Sequence, residues 1–582
     1  MKRKGLIIAA TSLSLLLSAC GSAEAPAPAE NPVTDTAGAA TESSALETKT
    51  EEVSETAETS DETTEDSGEV TSPKFLSDSK FLYESDSSGK YEQPIIQGHI
   101  ESIKLSEDSR KMYPELASSI DSYIKTMTDN ASSQADMFTS DNKEARASIA
   151  ADDTAPFIYT ATLSQDFFIE RADTEVVSIL SCLDSYAGGA HGFAMYTSET
   201  FDSRTGKELT LPEVVPDKAA FKDALLSSLE NNYDKDVFFC NDPGMGTGLS
   251  DELDKYLKTE YEPENLNPDE NDVVSRFYWA LDYKGVNVYF NAYDIAPYAA
   301  GTITAFIPYS SGLVDAAYAP LDDSAIISEQ PLYMDIRTTE GDDNKMYNYG
   351  CFFTTYEDDF NMYKSFEVFS DIDKETVEDD FFSFTEYLTK VGSKQYFIVV
   401  ASSYSDLDYF YIFDLDNGNI TQKDMLPCDH LGSLYEESTN TYYASCLTDS
   451  SNMSLSKRFD LLSTYSANKT YRLGEDGTLT SDNKYFDVHS HFTLKTKAEI
   501  TGELISKDNE SATEGSGKDI AFPSGTKFTI IRTDGTDKVD MLSIDGTLAR
   551  FTLETPDGEN GFYNHLNGRS IEELFEELYF AS

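Results

Sequence analysis

Positive charge is what this chain of 582 residues has least of relative to its opposite: 44 Lys+Arg stand against 105 Asp+Glu, a formal net charge of −61 at pH 7. Such a surface repels a phosphate backbone instead of binding it by counterion release, which excludes nucleic acid and anionic membrane surfaces as expected partners. Histidine is sparse, with six in all, and this narrows acid–base and metal chemistry. No G-x-S-x-G elbow, H-E-x-x-H helix, Walker loop or Rossmann fingerprint occurs. Cysteine is equally scarce, and without a C-x-x-C pair neither zinc nor thioredoxin chemistry has a foothold. After Cys20 come Cys182, Cys240, Cys351, Cys428 and Cys446, an odd number set far apart, which is no disulfide framework. A Cys182–Cys240 bridge, a Cys428–Cys446 bridge and isolated buried thiols stay open as alternatives.

Bulky side chains are plentiful: 39% of residues are apolar and 12% aromatic, with 35 Tyr beside 34 Phe. A chain of this composition folds over most of its length. At roughly 150 residues per domain its size predicts three to four domains, less any targeting segment.

Lys2, Arg3 and Lys4 precede an apolar run from Leu6 to Leu17, the order of a secretory signal, and the run is too short to span a bilayer. It ends in Leu17-Ser18-Ala19-Cys20-Gly21, which resembles the lipobox of bacterial lipoproteins, where cleavage leaves a lipid-modified cysteine. Cys20 is therefore the expected membrane anchor, since several acyl chains suffice for stable attachment. Residues 21–72 are almost wholly Ala, Glu, Thr, Ser and Pro, with 14 acids against the single Lys49. This stretch cannot offset its own ordering entropy and is expected to be a disordered acidic tether, with a coil reach on the order of 40 Å. The remaining residues 73–582 still carry a net charge of −51, so the acidity belongs to the folded part.

Residues 73–320 mix helical and strand patterns. Leu116, Ile120, Tyr123, Ile124 and Met127 make one helical face, and Phe221, Leu225 and Leu229 a second. Strands are expected at Phe157 to Leu163, Val176 to Tyr186, Arg276 to Tyr283, Val286 to Tyr293 and Thr302 to Pro308, with Lys284-Gly285 as a hairpin turn. The expected class is α+β with an antiparallel sheet. Residues 321–488 alternate aromatic and polar residues, and the paired runs Tyr396–Ser402 and Tyr409–Asp414, the turn Asp416-Asn417-Gly418-Asn419 and the strand-turn units at Thr441–Cys446 and Tyr471–Leu479 predict an all-β, meander or propeller-like domain. In residues 489–582, short strands at Phe492–Lys497, Lys527–Arg532, Val539–Leu542 and Ala549–Leu553, with turns at Asp534-Gly535 and Asp545-Gly546, predict a small SH3-like β-barrel. Ser570 and Glu573 form a capping box for a closing helix with Ile571, Leu574, Phe575 and Leu578 on its apolar face.

Two loops of the first region are unusual: Tyr186-Ala187-Gly188-Gly189-Ala190-His191-Gly192, and Phe290 to Gly301 with Asn291-Ala292-Tyr293-Asp294-Ile295-Ala296-Pro297-Tyr298. Together they resemble the RsiV-like extracytoplasmic domain family, also found as the N-terminal module of the PdaC peptidoglycan deacetylase and made of two adjoining domains of unknown function. The likeness covers about 230 of the 582 residues. It implies a binding module, because the deacetylase's chemistry lies in a separate domain and the anti-sigma member is a receptor for lysozyme. It also implies that Gly189, His191, Pro297 and Tyr298 line the ligand-binding surface. The chain shows neither an anti-sigma segment with a transmembrane helix nor a deacetylase domain, so neither activity is expected to carry over.

Two other motifs fall short of chemistry. His489-Ser490-His491 would put two imidazoles on one strand face without a third ligand, and the calcium-like run Asp414 to Asn419 meets Met425 where a bidentate Glu is required. No metal and no cofactor is expected. The sequence thus predicts a non-catalytic, extracytoplasmic surface lipoprotein that binds a cationic protein such as lysozyme, or peptidoglycan-type glycan. A cell-wall hydrolase whose carboxylate pair carries no motif, among the 91 acids of the folded part, and a structural or sensor lipoprotein are the alternatives.

Overall fold

The structure is a computed structural model and describes residues 71–149, 158–241, 248–263, 276–321, 325–331, 337–341, 343–356, 362–403, 408–428, 430–436, 441–488, 493–507, 509, 512–555, 565–576 and 578–580. Cys20, the expected tether and the His489-Ser490-His491 motif lie outside these residues. Among the described residues no helix is long and apolar enough to cross a membrane.

The first region is α+β. Strands β1 (Phe75–Glu84), β2 (Ile96–Leu105), β3 (Ala161–Ala172), β4 (Val176–Tyr186) and β5 (Phe193–Asp202) lie in that order in a seven-stranded sheet. A short helix α1 (Glu107–Met112) leads into the long helix α2 (Pro114–Ser148). Pro114 sits at the first position of α2, where its missing N–H costs nothing. Leu116, Ile120, Ile124, Ala131, Ala135 and Phe138 form its buried stripe and pack on Ile96, Ile100, Ile103 and Leu163 of the sheet. Because α2 carries the chain back along the sheet, β2 and β3 run parallel, a departure from the all-antiparallel sheet expected. At its far end Arg146 donates to the carbonyls of Gln93, Pro94 and Tyr159 at 2.6–2.8 Å. That clamp holds the segments entering β2 and β3.

Helices α3 (Leu211–Val214), α4 (Lys218–Asn232) and α5 (Leu249–Tyr261) then cover a three-stranded antiparallel sheet of β6 (Tyr278–Leu281), β7 (Gly285–Phe290) and β8 (Ile303–Pro308). Leu225, Leu229, Leu253 and Leu257 meet Phe290 and Ile307 in one core. The small sheet is stapled to β5 by Ser198, whose hydroxyl donates to the Trp279 carbonyl at 2.7 Å and accepts from the Trp279 N–H at 3.0 Å. Expected strand limits shift by a few residues. The first starts within the expected run, at Ala161, and continues past its expected end at Leu163 to Ala172, and the one expected to reach Tyr293 stops at Phe290, where the chain turns.

The remainder is all-β. Strands β9 (Ile327–Gln330), β10 (Arg337–Glu340), β11 (Met346–Thr355), β12 (Tyr363–Ser370), β13 (Lys374–Val391), β14 (Lys394–Ser403), β15 (Asp408–Asp416) and β16 (Asn419–Cys428) form an antiparallel meander with β9 added beside β13. The expected β14–β15 pair is present, and Asn417 at φ 51° with Gly418 at φ 85° makes the two-residue turn into β16. The calcium-like run is spent on that hairpin, and Asp414 faces Lys423 at 3.3 Å. After β17 (His430–Leu431), the hairpin of β18 (Ser433–Glu436) and β19 (Thr441–Ser445) joins the edge of the first sheet, where Leu76 pairs with Ser445. The strand expected among the middle hairpins thus belongs to a sheet begun more than 300 residues earlier.

Strands β20 (Met453–Asp460), β21 (Thr464–Leu473), β22 (Leu479–Thr480), β23 (Phe486–Val488), β24 (Thr493–Thr496), β25 (Ile500–Lys507), β26 (Asp519–Phe522), β27 (Lys527–Thr533), β28 (Lys538–Ser543) and β29 (Thr547–Thr552) share an open twelve-stranded sheet with β17 and the closing strand Phe575–Glu576. Ladders therefore cross residue 488, with β23 pairing to both β21 and β27. The closing helix is a single turn, Ile571–Leu574, and the Ser570 side chain makes no cap hydrogen bond. The expected capping box is not formed: Glu573 lies 3.5 Å from Arg569 instead, and the helix ends at Phe575, which pairs with Thr496. Cys182, Cys240, Cys351 and Cys446 are free thiols, so neither of the two bridges left open is made.

Candidate functional site

The two loops singled out in the sequence meet. One joins β4 to β5, with Gly188 at φ 88° and Gly189 at φ 110°. A Cβ on Gly188 would lie 2.9 Å from the Tyr159 ring, so both the backbone angle and the space demand glycine there. Gly189 is exposed and its carbonyl accepts from the Tyr186 hydroxyl at 3.3 Å. The loop delivers His191 to the surface, and its Nδ1 lies 2.9 Å from the Gly192 carbonyl. That contact makes Nδ1 the protonated nitrogen of the neutral ring and leaves Nε2 as an acceptor.

The second loop follows β7. Asn291 is buried and pairs with the backbone of Tyr196 on β5, accepting from its N–H at 2.7 Å and donating to its carbonyl at 3.0 Å. This side chain mimics a strand neighbour and fixes the loop to the edge of the first sheet. The loop also closes on itself, with the Asn291 N–H donating to Asp294 Oδ2 at 2.7 Å and the Tyr293 N–H to the Ala296 carbonyl at 3.0 Å. Ile295 and Ala296 are each 1% exposed and anchor it below. Held in this way, Tyr293 sits at φ 74°, a left-handed angle uncommon for an aromatic residue that its surroundings must enforce. Pro297 is exposed and leads into a 3₁₀ turn, Tyr298–Ala300.

At the meeting point the His191 ring stacks on Tyr298 with centroids 3.8 Å apart and planes at 22°. Tyr293 lies 5.8 Å from Tyr298, and its hydroxyl is 3.4 Å from His191 Nε2. Burial, then the charge of Asp184 on β4, pushes the Tyr298 hydroxyl pKa up. Burial likewise raises the carboxyls of Asp184 and Asp294. The arrangement offers an aromatic platform with acidic neighbours. Among the described residues no group of three or more His, Cys, Asp or Glu is placed to hold a metal ion.

Of the expected site residues, Gly189 and His191 stand on the first loop and Pro297 and Tyr298 on the second, and the fold brings His191 and Tyr298 into contact. Sequence reasoning passed over Tyr293 and Asn291, although both lie in the quoted loop. The asparagine directly after a strand was the available signal, since an amide is the side chain best able to imitate a backbone partner.

Residues 219–310 match the profile of DUF3298, a family of unknown function. This stretch is a DUF3298 domain. It holds α4, α5 and β6 to β8 and supplies Tyr293, Pro297 and Tyr298, whereas Gly189 and His191 come from the preceding sheet. The aromatic platform therefore lies on the seam between the DUF3298 domain and its neighbour. Two solved structures of DUF3298 proteins are similar to the chain. That from Bacteroides fragilis is 17% identical, covers 42% of this chain and 94% of its own, and has a TM-score of 0.32. That from Pseudomonas aeruginosa PAO1 is 19% identical, with 42% and 96% covered and a TM-score of 0.27. No curated protein matches the chain.

Proposed function

We propose that this protein is a non-catalytic, extracytoplasmic lipoprotein, anchored through Cys20 and residues 21–72, whose platform of His191, Tyr293 and Tyr298 binds a cationic protein such as lysozyme. The observation that supports this reading is the stack of the exposed His191 on the half-buried Tyr298, built from two loops about a hundred residues apart and locked by Asn291. Rigid aromatic surface binds at low entropic cost, and Tyr is enriched among interface hot spots. The net charge of −51 on residues 73–582 steers a cation toward it. The RsiV-like resemblance of the same two loops points the same way. Peptidoglycan-type glycan is the second ligand of this reading, favoured by the same exposed aromatic faces. An SH3-like character for residues 489–582 is part of the proposal, supported by the pairing of the unit's first strand, β24, with its last after a one-turn helix.

The test is binding of the whole protein to lysozyme and to purified peptidoglycan at about 0.1 M and about 1 M salt, where the screening length falls from about 10 Å to about 3 Å. Lysozyme binding that persists at high salt and is lost in Tyr298→Ala is the expected result. Binding that disappears with salt and ignores Tyr298 would mean that the acidic surface acts as a generic trap for cations.

A further inference from the structure

The described residues cover the face of the first sheet turned away from α2 unevenly. Its far half packs under β7 and β9, where Glu170 accepts from the Tyr289 hydroxyl at 3.1 Å and its carbonyl accepts from the Ser328 hydroxyl at 2.6 Å. In the near half, at the end that carries the His191 loop, the described residues leave Thr162, Ser164, Asp166 and Asp184 half-buried. Strand alternation explains its chemistry: Ala161 and Leu163 of β3 point into the α2 core, while Thr162, Ser164 and Asp166 are half-buried on the other side.

Register places a single row of side chains across all five strands of that half. Phe81 pairs with His99, His99 with Ser164, Ser164 with Asp184, and Asp184 with Ala194. At the strand spacing of a sheet this row spans about 19 Å. At one end Phe81 and, two residues on, Tyr83 are 82% and 70% exposed. Paired bulky apolar groups so open to water on one strand face mark a contact surface more than a folding need. In the middle His99 Nε2 and Asp166 Oδ1 are 2.6 Å apart, and both side chains remain about a quarter to a third exposed. At the other end Asp184 and Ala194 stand on β4 and β5, the two strands that the His191 loop joins, which brings the row to the loop platform.

We infer that this row, from Phe81 and Tyr83 through His99, Asp166 and Asp184 to Tyr298, is a docking surface for a cationic protein. The inference rests on the binding reading above and extends the same site onto the sheet. Charge complementarity selects the occupant. The row itself carries Asp166 and Asp184, both half-buried, and its basic group, His99, is engaged by Asp166. Basic side chains of a partner would answer the two carboxylates while Phe81 and Tyr83 cover apolar surface at the rim.

The experiment measures lysozyme binding by the whole protein at about 1 M salt for the wild type, Tyr298→Ala, the double variant Phe81→Ser/Tyr83→Ser, Asp184→Asn, and Asp519→Asn on the exposed start of β26 as a charge-matched control. Melting temperature is recorded alongside, and Phe81 and Tyr83 are exposed enough for their replacement to leave it unchanged. Losses of about tenfold or more in the double variant and in Asp184→Asn, with Asp519→Asn unaffected, are expected. Loss in Tyr298→Ala alone would keep the loop platform and overturn the row. Equal weakening by Asp184→Asn and Asp519→Asn, with the double variant silent, would overturn it as general charge. Failure of the wild type to bind lysozyme, or the same variant pattern seen with soluble peptidoglycan fragments instead, would overturn the choice of a cationic protein.

Discussion

The first and last sheets bury carboxylates in opposite ways. On the C-terminal sheet Asp540, 1% exposed, receives Arg550 at 2.7 and 2.8 Å and Arg532 at 3.1 Å, and both guanidinium groups lie near the Tyr485 ring. At the contact between the first and middle sheets, Glu101 on β2 is surrounded instead by like charge. Asp166 of β3, Glu329 of β9 and the Cys446 thiol share its surroundings, with Tyr387 of β13 beside Glu329 and His99 nearby as a group able to turn positive. A carboxylate matched by cations stays ionised when buried, whereas one matched by other acids is driven toward its neutral form. Burial first, and then Asp166, lifts Glu101 to about 7 even though the Phe167 N–H donates to it at 2.8 Å. Glu329 is pushed well above its ordinary range by burial and then by Glu101 and Asp166. One region is thus tied by charge and the other is held by protons.

The sharpest way to break this contrast is Asp540→Ala, which leaves two buried guanidinium groups facing each other. A loss of about 3–5 kcal/mol in urea unfolding is expected, and a loss under 1 kcal/mol would show that the carbonyls of Ala512 and Thr513, which also accept from these arginines, satisfy them alone.

The next largest effect is the pH dependence of the first region. The folded state holds a proton on Glu101 that the unfolded chain releases near its ordinary 4.5. The corresponding stability is therefore complete below that value and is lost as pH rises through about 7. His99, raised by its hydrogen bond to Asp166, adds a loss of the same sign above its ordinary value. Urea titrations between about pH 5 and pH 8 should show a fall on the order of 3 kcal/mol. Glu101→Gln should reduce it, leaving the shares of His99, held up by Asp166, and of Glu199, whose carboxyl burial and then Glu208 push up to about 8. A flat profile in the wild type would refute the proton-held junction.

The smallest effect belongs to Ser570→Ala. A working N-cap would be worth about 1 kcal/mol, but this side chain makes no cap hydrogen bond, so a change within about 0.5 kcal/mol is expected.

How legible these features are in the sequence depends on the range over which they act. Asn417-Gly418, Asp534-Gly535 and Asp545-Gly546 announce their turns because positive φ is a property of the residues themselves, and φ is positive at Asn417 and at all three glycines. The stripe from Leu116 to Ile124 announces α2 by its period alone. Ser570 and Glu573 carry an equally local signal and misled, because Glu573 turns to Arg569 and the helix stops after one turn, with Phe575 buried in the C-terminal core. The two unusual loops were visible as loops. Their stacking was not, since it depends on Asn291 reaching the backbone of Tyr196 across 95 positions.

By itself the sequence determined the acidity, the lipobox-like segment, the α+β start and all-β remainder, and most of the turns. These follow from composition and from conformational preferences that neighbouring residues settle among themselves. Tertiary structure alone decided that β18 and β19 would extend the first sheet, that β2 and β3 would run parallel, that Glu101 would lie among acids while Asp540 lies between arginines, and that Phe81 and Asp184 would share one face. Those outcomes turn on which distant surfaces bury one another. An edge strand or a carboxylate carries no record in its own residues of the partner it will meet.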